Sequence, residues 1–427
     1  MKPSGVSEEH AGLRAITHPP KAITKNLIGG ETTRGVSRCG GRNAGPDDFL
    51  PRVRSPGVRL LLVLILILAG CEDPTACSEP GDICTVVGTG HAGWNGDGPA
   101  AETDLYRPIA VLPDGDRVWF LDWNNHRLRV LEDDVVTTAV GNEIPGDGPQ
   151  DGSEYGDGAP GLDVPMNHPT DLALLDGDVL LTVWHNHKLR RYDPVSGLVT
   201  VVAGGEPGFT GDGGPAQDAL LQYPQGGDVE DGVIWFTDNE NGRVRRIVDG
   251  TIETVAGTGE VGWNGDDLPP LETRLGLPPG SGEGFEPGGG LLIDEGIVWL
   301  AESLTHRIRR FDPAAGAFAT VAGTGEAGWD GDGEATSVRL AFPHDLERGP
   351  DGALWFSDAH NHAVRRLVDG EVQTMVGGHG AGFDGDGGPA ADAVLSRPAG
   401  IAFDDAGDLW IADHENHRIR RVLRGDW

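Results

Sequence analysis

Basic side chains are scarce in this 427-residue chain: 33 lysines and arginines stand against 67 aspartates and glutamates, for a formal charge of −34. Nucleic acid needs a basic footprint for its phosphates, so that partner is excluded. Cysteine is scarce too, and four residues cannot frame a disulfide scaffold. Long apolar runs are missing except for the nine residues from Leu60 to Leu68, well short of the about 20 that a membrane-spanning helix needs. Glycine, at 68 residues, and proline, at 30, are abundant. The glycines keep no three-residue period, which excludes collagen, and the 38% hydrophobic content excludes wholesale disorder. A large, acidic, turn-rich all-β protein remains.

The apolar run suits the h-region of a signal peptide, with Arg52, Arg54 and Arg59 before it. Leu68-Ala69-Gly70-Cys71 resembles a bacterial lipobox, whose cysteine is lipidated after cleavage. This predicts an exported protein of the bacterial cell envelope, periplasmic or on the outer surface, held to the membrane by a lipid on Cys71. Residues 1–52 read as a gene-model extension or a disordered stretch, 53–70 as signal peptide, 71–82 as tether and 83–427 as the folded part. Cys77 and Cys84 form either a disulfide or two free thiols, and an oxidising compartment favours the disulfide.

One pattern recurs six times: a short strand containing Trp, an acidic turn ending in Asn-His, then a basic strand. The copies begin at Trp119, Leu180, Trp235, Trp299, Trp355 and Trp410, and their turn positions are His126, His187, Gly242, His306, His362 and His417. A spacing of about 55 to 64 residues built from short strands points to propeller blades. Each unit supplies four strands, a to d. In the fifth these are Pro343–Arg348, Ala353–Asp358, Ala363–Val368 and Glu371–Val376. The sixth unit stops after strand c, while residues 83–88 match the d strands. The N-terminal strand is therefore expected to complete the last blade and close the ring.

The triplets Asn125-His126-Arg127, Asn186-His187-Lys188, Asn361-His362-Ala363 and Asn416-His417-Arg418 resemble the signature of the NHL family, which forms six-bladed β-propellers. Gly242 and Thr305 depart from it. The similarity covers about residues 83–427. It implies a fold rather than a function, since NHL-like propellers include binding modules and a few enzymes.

In a propeller the d-to-a loops and b-to-c turns open on one face. The d-to-a loops repeat an aromatic, then Gly-Asp-Gly, with Gly-Asp-Asp at Asp266: Asp97, Asp212, Asp266, Asp332 and Asp386 are either turn-capping residues or, less simply, calcium ligands. No copy has the ligand spacing of an EF-hand. The leading aromatics (Trp94, Phe209, Trp263, Trp329, Phe383) read as wedges between blades, with sugar stacking as the alternative. The pairs His185/His187, His360/His362 and His414/His417 invite zinc, which needs three or four convergent ligands. Arginines of strand c are expected to pair with strand-b acids such as Asp238, Asp358 and Asp413 and to cover the disc edge. Strand a lines the channel, and blades 2 and 5 alone begin it with charge: His168, Asp171, His344 and Asp345 are expected near the channel mouth.

No nucleophile elbow, P-loop or dinucleotide fingerprint is present. These features favour a scaffold that binds a protein, peptide or carbohydrate on the loop face. The alternative is a metal-assisted lyase or hydrolase at the channel mouth. The resemblance lends it substance, since NHL-like peptidyl-hydroxyglycine lyases hold zinc through histidines of separate blades and lactonase-like propellers hold a divalent ion in the channel.

Overall fold

The computed structural model describes residues 77–142, 145–146, 153–280, 287–314 and 316–425; the lipobox with Cys71 lies outside them. These residues form a six-bladed β-propeller. The strand boundaries read for blade 5 hold closely, at Pro343–Arg348, Leu354–Asp358, Ala363–Val368 and Glu371–Gly377. Strand Asp82–Val87 pairs antiparallel with Arg418–Val422 and completes blade 6. Cys77 and Cys84 are disulfide-bonded beside this closing strand.

Both faces of each sheet are buried, because each blade is sandwiched between two others. The period-2 alternation of strand b then divides its bulky residues between two neighbours. Trp355 packs toward blade 6, with Ile401 and Ile411, whereas Phe356 packs toward blade 4, with Trp299 and Ile308. One hydrophobic cluster fills each seam between blades, six in all among the described residues.

The d-to-a loops do not run straight to the next inner strand. They first cross to the outer edge of the following blade, where Gly98–Pro99 pairs with strand d of blade 1. Gly333–Glu334 does the same on blade 5 and Gly388–Pro389 on blade 6. A short 3-10 turn follows, such as Ala390–Asp392, and no side-chain hydrogen bond caps it.

The loop aspartates serve these crossings. Asp386 accepts from Arg420 Nη2 at 2.7 Å and Thr85 Oγ1 at 2.6 Å, and Asp212 from Arg245 Nη2 at 2.8 Å. Asp97 and Asp332 accept from Thr138 and Thr374, and Asp266 from Thr320. The arginine facing each (Arg129, Arg245, Arg309, Arg365, Arg420) also meets a strand-b acid, as in Arg365–Asp358 at 3.0 Å. These arginines are completely buried, so the disc edge is not where they act. The second arginine of each pair lies over the strand-b indole instead, as Arg421 does over Trp410.

The turn histidine staples each blade to the next. His126, His306, His362 and His417 all adopt the left-handed conformation, with φ of 54–56°. His306 Nδ1 accepts the backbone N–H of Phe342 at 3.2 Å, and His417 Nδ1 that of Arg107 at 3.2 Å across the closed seam. Since Nδ1 accepts, the proton is on Nε2. Burial holds these imidazoles below their ordinary pKa, to about 4 for His126. Gly242 keeps the backbone conformation, with φ 56°, but brings no acceptor.

Candidate functional site at the channel mouth

Strand a runs along the axis, and the residue nearest it differs between blades: Ala110, Asp171, Gly226, Gly290, Asp345 and Gly400. Backbones approach so closely there that a Cβ on Gly226 would lie 2.6 Å from Gly289 O, and one on Gly400 2.6 Å from Ile109 O. Asp171 and Asp345 each bridge to the next blade, accepting from Gly227 N and Ile401 N at 2.8 Å.

Asp171, His344 and Asp345 share one small cavity at the throat, together with Thr170 and Gln225. His168 does not join them. It precedes the strand-a proline of blade 2, so it aligns with Phe342, while Thr170 aligns with His344. Its Nδ1 lies 2.8 Å from His185 Nδ1, and its ring stands edge-on to His126. Burial lowers the pKa of His168 to about 3 and that of His185 to about 4, which keeps both neutral.

Below the throat the channel is a cavity of about 380 Å³ with aliphatic walls. Asp228, Glu230, Asp294 and Glu347 project there, with Arg348 tied to Asp294. Burial raises Asp228 to about 6 and holds Glu347 well above the usual carboxylate range. Asp171 is raised by burial and by the charge of Asp345 opposite; Asp345 is raised by burial. The sequence signal for Asp228 and Glu347 was available, because they occupy a strand-a position held elsewhere by Leu112, Ala173, Leu292 and Ala402.

Above the throat, the first residue of the b-to-c turn is Trp123, Trp184, Asn239, Ser303, Ala359 or His414. Of these six only His414 stands among the sequence candidates, although aligning the six turns exposes the position. Trp123 and Trp184 stack with centroids 6.3 Å apart, and His185 lies flat on Trp184 at 4.0 Å. On the opposite side His344, His360, His414, Phe342 and Arg397 line a pocket continuous with the throat. Phe342 stacks on His360 at 4.7 Å, and Glu415 holds Arg107 at 3.0 Å and Arg397 at 3.6 Å.

The loop aromatics are not wedged between blades. A guanidinium covers each ring, with Arg243 3.9 Å from Phe209 and Arg418 3.7 Å from Phe383, and Trp263 is 46% exposed. Tyr155 under Lys188 is the equivalent in blade 2. Among the described residues no three His, Cys, Asp or Glu side chains stand close enough to share a metal ion.

Comparison with known proteins agrees with this architecture. The NHL repeat model matches residues 395–422. The Arabidopsis thaliana chloroplastic protein SUPPRESSOR OF QUENCHING 1 is 26% identical over 312 residues, 68% of this chain and 28% of that protein. NHL repeat-containing protein 2 of Bos taurus is 26% identical over 276 residues, 57% of this chain and 35% of that one. The chain thus spans about a third of the length of these relatives. Among solved structures, an auxiliary nutrient binding protein from Bacteroides thetaiotaomicron superposes with a TM-score of 0.57 at 16% identity, covering 79% of this chain and 75% of that one. A protein of unknown function from the same organism gives 0.59 at 17% identity, with 80% and 75% coverage. The closed ring of six sheets makes this chain a six-bladed β-propeller, with an NHL repeat in its last blade.

Proposed function

We propose that the chain is an exported, lipid-anchored propeller that binds a ligand at its channel mouth and does not transform it. The observation that carries this is where the repeat stops repeating. Seams, staples and arginine clamps recur with little change, whereas the inner positions of the loop face change from blade to blade and bring Trp123, Trp184, Gln225, His344, Arg397 and His414 around one axis. A site built of aromatic rings and a few polar groups suits recognition of a peptide, a protein loop or a carbohydrate. The metal-assisted alternative draws on Asp171, His344 and Asp345 at the throat, but their carboxylates already accept backbone N–H groups.

A screen of glycans and peptides against residues 72–427, read by thermal shift, tests this. Ligands that stabilise the wild type and fail with an Arg397→Ala, Trp184→Ala variant support it, and turnover of any such ligand would move the protein to the enzymes. The anchor is tested separately: Cys71→Ala is expected to move the protein from the detergent to the aqueous phase in a phase-partition assay.

A further inference from the structure

The binding reading of the mouth, on which this inference rests, leaves the chemistry of the ligand open, and the groups that the fold leaves unmet narrow it. Four buried side chains at inner positions of blades 1 to 3 each keep a polar atom with no partner among the described residues. Gln225, 2% exposed, accepts the N–H of Gly288 through Oε1, which leaves Nε2 with donors and no acceptor. Asn239, fully buried, donates from Nδ2 to Gly288 O at 2.9 Å and Pro278 O at 3.3 Å, which leaves Oδ1 without a donor. The Gly288 peptide thus fixes which end of each amide is which. The indole N–H groups of Trp123 and Trp184 have no acceptor, and Trp123 lies 5.6 Å from His414 of the pocket wall. Buried polar groups in folded proteins are nearly always paired. Outside the mouth the unmet atoms are chiefly Nε groups of clamp arginines such as Arg245 and Arg365, whose Nη groups are engaged.

Three donors and one acceptor do not suit a ligand of one hydrogen-bonding sense. A carboxylate brings nothing to Asn239 Oδ1 and would face Asp171 and Asp345 at the throat, while an ammonium brings nothing to Gln225 Nε2 or the indoles. A hydroxyl donates and accepts at a single atom. The throat cavity lined by Gln225, Asp171 and Asp345 measures about 10 Å³, room for one oxygen. A hydroxyl at the end of a single bond enters such a space, accepting from Gln225 and donating to a carboxyl group. A backbone amide, flanked by chain on both sides, does not. Several hydroxyls carried on one rigid body describe a sugar.

We propose that the mouth takes a neutral saccharide, with one hydroxyl seated in the throat between Gln225 and the Asp171–Asp345 pair and others meeting Asn239 and the indoles of Trp123 and Trp184. Calorimetry with maltotriose, cellotriose and mannotriose, each beside its permethylated form, and with trialanine tests this. At least one trisaccharide is expected to bind, and its permethylated form, which keeps acceptors but has lost every donor, at least about tenfold more weakly. Trp184→Phe keeps the ring and removes only the N–H. It is expected to bind that sugar about threefold to tenfold more weakly, with no loss of thermal stability in the free protein, because the donor it removes has no partner there. Gln225→Met is expected to weaken binding by a similar factor. A sugar that binds equally well after permethylation, or equally to wild type and both variants, overturns the inference and leaves the mouth a binding site. Binding of trialanine and of no sugar overturns it in favour of peptides. Silence from every probe overturns it as well, whereas the wider reading falls only if the full screen of glycans and peptides is silent too.

Discussion

Removing one histidine staple tests how the ring is held together. In wild type His306 Nδ1 accepts the N–H of Phe342 at 3.2 Å, and Ser303 Oγ donates to Pro343 O at 2.7 Å in the same seam. His306→Gly keeps the left-handed backbone, which glycine enters freely, and removes only the acceptor. A net hydrogen bond contributes about 1 kcal/mol, and the half-buried Phe342 N–H left behind raises the cost to about 1–2 kcal/mol. His306→Ala is expected to cost as much, because it gives up the same bond and stays in a conformation unfavourable to a residue with a Cβ.

The effect carries a pH signature. Burial lowers the folded pKa of His306 below 6.5, so the unfolded chain takes up the proton first as pH falls. The stability this group supplies is whole above pH 6.5 and is lost as pH drops toward the lowered folded value. Urea titrations of wild type and both variants at pH 8 and pH 5 read this directly. The expected gap of about 1–2 kcal/mol at pH 8 narrows at pH 5. A gap that stays the same at both pH values would show that the ring acts by packing, and a gap below about 0.5 kcal/mol at pH 8 would refute the staple.

Three further outcomes follow from the clamps, the closure and the channel. Arg365→Leu leaves Asp358 buried with its charge unpaired, so a loss of about 3–5 kcal/mol is expected in the same urea assay, with partial rescue in the Asp358→Asn double variant. Cys84→Ser opens the eight-residue loop beside the closing strand and is expected to cost about 2–3 kcal/mol, the value that dithiothreitol should also reach on wild type. Asp228 has a folded pKa of about 6 against 3.8, so the folded state holds the extra proton and stability falls as pH rises through that window. Asp228→Asn should flatten this slope by about 2 kcal/mol between pH 4 and pH 8, and an unchanged slope would place the titration elsewhere.

Much of the fold was legible because a repeat shows each feature six times. Blade number, strand borders and the closing role of Asp82–Val87 all came from comparing copies. The contents of the centre were harder to read, because they lie where the copies disagree and a one-residue offset changes the answer. His168 and His344 both flank the first proline of strand a, but on opposite sides: Pro169 aligns with Pro343, so the residue facing the throat in blade 2 is Thr170. The loop aromatics misled for a different reason. Sequence shows a large ring in every loop but not the guanidinium beneath it, which arrives from strand c some 33 residues later, as Arg127 does for Trp94. The depth of the arginines was hidden likewise, because two carboxylates from separate segments are needed to make a buried guanidinium tolerable.

The crossing loops have a consequence for how such a protein changes over generations. Because four of the described loops add an outer strand to the following sheet before the inner strand starts, cutting the chain at those sheet borders would strip an edge from one neighbour and leave a surplus edge on the other. The cassette that can be duplicated or deleted cleanly begins with strand d and its loop and ends with strand c of the next sheet. The strands of the ring run in that phase, from Asp82 to Val422. Insertion of a seventh cassette in that phase keeps every seam of one kind, whereas the same length inserted a strand later would not.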